Sequence, residues 1–444
     1  MIARRNWLCC VCALVLAFCL AAPAGAQQFE VKTHTLKNGM KILVQEDNSI
    51  PNVAFYIFYR IGSRNERPGT TGLSHFFEHM MFNGAKKYGK GEFDRVMEGA
   101  GGANNAYTSQ NVTVYQDWFP PDILELIFDL EADRIRDLSF DPKVVESERG
   151  VVMNERRQGV DNNNFGTLNE QLWATAFTAH TYQWPVVGWE VDIKNWKMED
   201  LQNHFKMGYS PSNATMVVTG AVKFEDIVRL AEKYIEPIPS HAPPPPVTTQ
   251  EPAQNGERRV MVRKFAQLPI VMAAWHVPQT SHPDYYPLQI LQTVLFNGQS
   301  SRMYQRIVDK DQLAISANGG FGFGFDPTLF TISSQPKQNI DPATVEKAIY
   351  EELDKVKSGG ITDDELQKAK NILLANFYRQ MKTINGKSNA IGTYEVFFGD
   401  YKKLFNAAGE FAKVKKEDVQ RVAREFFTEK NRTVATLIPE KPQQ

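Results

Sequence analysis

Val53–Arg60 (VAFYIFYR) is a short run rich in β-branched and aromatic residues, and with Gly39–Gln45 it predicts two strands near the start of the chain. The apolar spacing becomes helical through His75–His79 (HFFEH), and a polar-rich strand candidate follows from Ala106 to Tyr115. Helical spacing returns over Asp122–Leu138 and Pro142–Gln158. Asp141 can cap the second of these helices and Pro142 fits its first turn. A similar order then recurs. Strands at Arg259–Arg263 and Ile270–His276 precede helical stretches at Tyr286–Leu295 and Ser301–Val308. Strands near Ala314–Phe323 and Leu329–Gln335 come next, then long helices at Pro342–Lys357 and Thr362–Gln380. The expectation is an α+β protein of two similar modules, each a mainly antiparallel sheet with packed helices.

The boundary between them is Pro237–Gly256, PIPSHAPPPPVTTQEPAQNG. Four consecutive prolines fit neither a helix interior nor a paired strand and favour an extended, semi-rigid connection. Residues 27–238 are therefore assigned to the first domain, 239–256 to the linker and 257–444 to the second. Residues 1–26 are set apart. Arg4 and Arg5 precede an apolar run from Trp7 to Leu20, and Ala24-Gly25-Ala26 offers small residues for cleavage. This is the pattern of a secretory signal peptide, too short in its apolar part for a retained span.

Composition narrows the chemistry. All four cysteines lie within this segment, so a processed chain has no thiolate ligand, cysteine nucleophile or disulfide. Any metal must be held by histidine, carboxylate or water. The formal net charge of −1 over 444 residues gives no reason to expect a nucleic-acid partner.

On a helix, His75 and His79 are four apart and project from one face, where their imidazoles can converge on one Zn²⁺. Glu78 lies beside them, placed to take a proton. The order HxxEH inverts the commoner HExxH zinc signature. A catalytic zinc usually has three protein ligands and an open position. Glu148 and Glu155, seven apart in the helix over 142–158, are both candidates for the third, and spacing alone does not choose between them. Glu146, Arg156 and Arg157 read as surface or ion-pair groups.

At this point the chain resembles the M16 (pitrilysin-like) metallopeptidases, in particular the short-chain M16B-type group. The resemblance spans nearly everything after residue 26. It rests on LKNGMKILV (36–44), YRIGSRNERPGTTGLSHFFEHMMFNG (59–84), NNAYTSQNVTVY (104–115), ESERGVVMNERR (146–157) and HTYQWPVVG (180–188). It implies zinc ligands at His75, His79 and Glu155, a catalytic base at Glu78 and a supporting acid at Glu148. Asn105 and Ala106 match an edge strand that pairs with an extended substrate, a contact that favours unfolded segments. One zinc per chain and peptide-bond hydrolysis follow from the resemblance.

The second module departs from the pattern. It has no second HxxEH, and His241, His276 and His282 read as surface or packing residues. Many members carry an Arg and a Tyr, seven apart, that contact substrate from this module. Here Val308 and Ile315 stand at those positions, and neither can donate a hydrogen bond. The resemblance therefore implies the zinc-bearing subunit of a heterodimer whose partner, a relative without the zinc motif, supplies the Arg and Tyr. Its alternatives are a self-sufficient homodimer, a processing peptidase or a non-enzymatic assembly subunit. The signal peptide points to the periplasm of a Gram-negative bacterium. Gly319–Gly324 (GGFGFG) reads as a twisted strand in preference to a partner-facing segment, and not as a nucleotide loop.

Overall fold

The computed structural model describes residues 29–440, and their strands fall into two sheets. The segment assigned to a signal peptide lies outside the described residues. The first half carries β1 (Lys32–Thr35), β2 (Lys41–Glu46), β3 (Val53–Tyr59), helices α1 (Leu73–Met80) and α2 (Glu92–Gly99), β4 (Ala103–Thr108) and β5 (Thr113–Phe119). Helices α3 (Leu124–Asp137), α4 (Pro142–Arg156), α5 (Asn164–Ala176), α6 (Glu190–Asn195) and α7 (Met198–Gly208) lead to β6 (Ala214–Gly220) and α8 (Phe224–Tyr234). The second half runs β7 (Arg258–Phe265), β8 (Ile270–Val277), α9 (Tyr285–Phe296), β9 (Ala314–Gly320) and β10 (Thr328–Pro336). It ends with α10 (Pro342–Gly359), α11 (Asp363–Gln380), α12 (Ile384–Phe397), α13 (Lys403–Lys413), α14 (Lys416–Phe426) and β11 (Arg432–Glu440).

The sheet orders are β1-β2-β6-β3-β5-β4 and β7-β11-β8-β10-β9. Without β1 they are the same. Each has one parallel pair, β2 with β6 and β7 with β11, and is otherwise antiparallel. The architecture is thus the expected α+β pair of similar modules.

The uninterrupted apolar run in β3 reflects burial on both faces. Val53, Phe55, Ile57 and Tyr59 enter the first core with α1, α3 and α7. Ala54, Tyr56 and Phe58 face the other way, where α12 from the second half covers the sheet. Ser388 Oγ donates to Ala54 O at 3.3 Å, and Tyr56 and Trp118 both donate to Asn385. At Gly392 the fit is so close that a Cβ would stand 2.0 Å from Phe58 Cε2. The exchange is reciprocal. Helix α5 of the first half packs Leu168, Leu172 and Ala176 against Ile270, Met272, Ala274 and Leu437 of the second sheet.

Two local expectations change. Ala106–Tyr115 is not one strand but the β4–β5 hairpin: Ser109 Oγ accepts from the backbone of Asn111 and Val112, both at 3.1 Å, and turns the chain. The stretch expected as a helix over 301–308 widens into a π-type turn at Tyr304–Lys310, with Asp311 N donating to Arg306 O at 3.2 Å. The proline-rich stretch is also more than a spacer. Glu251 accepts hydrogen bonds from the backbone of Thr178, Ala179 and His180, each at 2.9 Å, which ties it to the first half.

Candidate metal centre and active site

Helix α1 is fixed at its start by two buried acids. Gly72 caps it at φ 90°, in the left-handed region, and a Cβ there would lie 2.4 Å from Val187 O. Glu66 accepts from Gly72 N and Ser74 N at 2.7 Å each. Among the described residues no cation pairs with Glu66, and burial raises its pKa to about 7. Asp192 accepts from Thr71 Oγ1 at 2.6 Å and Gly69 N at 3.1 Å. Beneath the helix, Tyr115 donates to Phe77 O at 2.8 Å, and Tyr209 donates to Ser74 O at 3.1 Å. His204 Nε2 lies 3.1 Å from Ser74 Oγ. Burial lowers its pKa to about 3, so this imidazole is neutral.

The apolar residues of α1, Leu73, Phe76, Phe77 and Met80, are in the core, which leaves His75, Glu78 and His79 on the open side. Helix α4 crosses that side and brings Glu155 to both histidines. Glu155 Oε2 is 3.5 Å from His75 Nε2 and 3.3 Å from His79 Nε2, and the three donor atoms all lie within 4.8 Å of one another. The three residues can hold a metal ion, and their donors, two imidazoles and a carboxylate, are of a type that suits zinc.

Glu148, two turns earlier on α4, has a different position. Its Oε1 is 2.8 Å from His79 Nδ1, the nitrogen pointing away from Glu155. A proton donated there leaves the Nε2 lone pair free for a metal. Burial, and then the neighbouring His79, lower the His75 pKa to about 4, so His75 is neutral and able to ligate at pH 7. Burial opposes charge on His79, but Glu148, Glu155 and Glu78 outweigh it and raise its pKa. Glu78 is partly buried; burial raises its pKa, and Thr108 and His79 partly offset this.

Strand β4 is the free edge of the first sheet and packs beside α1. Asn105 and Ala106 are in its centre. Ala106 turns partly into the core, whereas Asn105 is exposed and its Oδ1 accepts from Ala106 N at 2.9 Å. Asn104 on the same strand is tied to Asp94 at 2.9 Å.

Other candidates lie elsewhere. Arg156 is buried, with bonds to Glu170 at 2.8 Å and Gly188 O at 2.7 Å that anchor α4. Glu146 is exposed beside Arg149. Val308 is half-buried against the second core and Ile315 is exposed on β9. Arg306 is engaged by Glu351 and Asp311. His276 faces Asn431 at 3.3 Å with Phe177 against its ring. The supports at Glu66, Asp192, His204 and Tyr209 were not singled out from sequence. Glu66 at least falls within a stretch that carries the resemblance, but Asp192 meets Thr71 across 121 positions, where local patterning gives no signal.

The family model "Insulinase (Peptidase family M16)" matches residues 41–188, and "Peptidase M16 inactive domain" matches 195–373. The zinc protease PqqE of Helicobacter pylori is 31% identical over 432 residues, 96% of this chain and 97% of that protein. A probable mitochondrial-processing peptidase subunit beta of Arabidopsis thaliana is 26% identical over 92% of this chain and 78% of its own. The crystal structure of a protease from Helicobacter pylori superposes with a TM-score of 0.90 at 30% identity, covering 93% of this chain and all of that one. The donor cluster between α1 and α4 falls within the span of the first family model, and the paired sheets continue into the second. The chain belongs to peptidase family M16, with the two-module fold of its zinc proteases.

Proposed function

We propose that this chain is a zinc endopeptidase of the M16B type, with one zinc held by His75, His79 and Glu155. The convergence of these three donors beside Glu78 is the observation that carries the proposal. Zinc, when bound, supplies a Lewis acid for the scissile carbonyl and acidifies a water molecule. Glu78 takes the proton of the attacking water and returns it to the leaving nitrogen, and the raised pKa of this partly buried carboxylate suits both transfers. Glu148 holds the His79 ring in the ligating tautomer. The free edge of β4 at Asn105 and Ala106 pairs with the backbone of an extended peptide, which selects unfolded segments over folded ones.

The chain is the zinc-bearing subunit of a heterodimer in this proposal. Val308 and Ile315 bring no hydrogen-bond donor, and Arg306 is already paired, so the donors for the developing oxyanion come from a homologous partner. The similarity to a processing-peptidase beta subunit is in keeping with a two-subunit enzyme. The N-terminal pattern of residues 1–26 supports export to the periplasm of a Gram-negative bacterium, and no described helix is long and apolar enough to cross a membrane.

The test combines metal analysis with peptide hydrolysis by the purified chain, alone and with its copurified partner. We expect about one zinc per chain and a loss of at least about 10²-fold in turnover on Glu78→Gln with zinc retained. Unchanged turnover would remove Glu78 as the base. Full activity of the chain as a homodimer would remove the need for a partner.

A further inference from the structure

Behind α1, on the side away from the metal donors, a cavity of about 320 Å³ opens between α3, α7 and the start of the proline-rich stretch. Its inner wall is aromatic: Phe140, Phe205 and Tyr209 line it, and all three pack on Phe77, with ring centroids 6.0, 5.7 and 5.4 Å away. Ile238 adds an aliphatic wall. The rim differs in character, with Arg136, Lys206 and His241 standing around the mouth. Lys206 has no hydrogen-bond or ion-pair partner among the described residues. Arg136 uses its Nε on Asp137 at 2.7 Å, which leaves its terminal nitrogens available. No carboxylate lines the cavity. The wall is also held in place: His241 N donates to Ser210 Oγ at 2.8 Å, which pins the proline-rich stretch over the opening.

An interior of aromatic and aliphatic side chains, with Lys206 unpaired at its mouth beside an Arg136 that only Asp137 engages, is complementary to a molecule with one apolar body and one anionic end. The volume is at the small end for ligand sites and suits a compact ligand. We infer that this cavity binds a small amphipathic monocarboxylate, its hydrocarbon part against Phe140, Phe205 and Tyr209 and its carboxylate at Lys206 and Arg136. Charge-assisted hydrogen bonds from the two cations orient it. The bound acid lies one aromatic layer from the helix that carries His75 and His79, on its opposite side.

Isothermal titration of the full, metal-loaded chain with 3-phenylpropionate and with octanoate tests this, with 3-phenylpropionamide as the neutral control. We expect at least one acid to bind with a stoichiometry of one, and the amide to bind about tenfold more weakly than 3-phenylpropionate or not at all. Whichever acid binds more tightly tells whether an aromatic or an aliphatic body is preferred. Lys206→Glu should abolish binding. Gln202→Trp, at an exposed position on the wall, fills the cavity without touching the cations and should abolish it as well. If Lys206→Glu fails to fold, Gln202→Trp decides alone. Equal affinity for acid and amide, or no heat with any of the three, would overturn the inference. So would binding that survives Gln202→Trp but disappears in His79→Ala, because the acid would then sit at the metal centre.

Discussion

Helices α1 and α9 occupy corresponding places, each after the strand at third position in the five-strand order common to both sheets, yet of the two only α1 carries side chains that could ligate a metal. In α1 the core takes Leu73, Phe76, Phe77 and Met80 and leaves His75, Glu78 and His79 on the open side. In α9, YYPLQILQTVLF, burial extends over most of the helix and there is no metal-ligating side chain. The helices also start differently. The buried Asp284 before α9 is paired with Arg421 of α14, at 3.0 Å from one guanidinium nitrogen. The buried Glu66 before α1 has backbone N–H groups as its partners and, among the described residues, no cation. The same scaffold is thus used twice, once packed for stability and once left open and electrostatically less settled. Polar groups kept on the open side of a helix forgo packing and gain reactivity.

The sharpest way to break this comparison is to remove a histidine from each half. His79→Ala should reduce bound zinc from about one per chain to near zero and turnover by at least about 10²-fold. His276→Ala should leave metal content unchanged. Zinc lost from the second variant and kept in the first, by elemental analysis, would reverse the assignment of the halves.

A smaller effect tests whether the halves depend on each other for packing. Gly392→Val forces side-chain atoms into Phe58 and should cost about 1–3 kcal/mol in denaturant unfolding. Because α12 covers the first sheet, loss of secondary structure should follow one transition. Separate transitions for the two halves would show that the exchanged helices do not couple them.

The smallest expected effect concerns Glu66. Its pKa in the folded chain is about 7, above the ordinary carboxylate value, so the unfolded chain gives up this proton at lower pH. The native state therefore loses stability as pH rises from roughly 4.5 to 7, and the loss is complete above that window. The melting temperature of Glu66→Gln relative to the natural chain should rise across the same window. A difference that does not change with pH would mean that Glu66 does not titrate there.

Much of the site was legible because its signals are local. HFFEH puts two imidazoles and a carboxylate on one helix face by the 3.6-residue period, whatever surrounds it. Choosing between Glu148 and Glu155 was different. Both lie on the same face of α4, two turns apart, and only the crossing of α4 over α1 brings Glu155 to both Nε2 atoms and Glu148 to Nδ1. Spacing alone could not make that choice. The β4–β5 hairpin did carry a local signal, since Ser109, Gln110 and Asn111 break the β-forming run at the point where Ser109 Oγ turns the chain.

By itself, then, the sequence determined the helix that bears the histidines, the absence of thiol chemistry after residue 26, and the repetition of a strand–helix order on both sides of the prolines. Tertiary structure decided which acid meets the histidines, which edge strand lies beside them, and that α5 and α12 each cover the other half's sheet. The physical reason is range. Periodicity and capping act over a few residues, whereas Thr71 with Asp192 or Phe58 with Gly392 are pairs made only when distant segments pack.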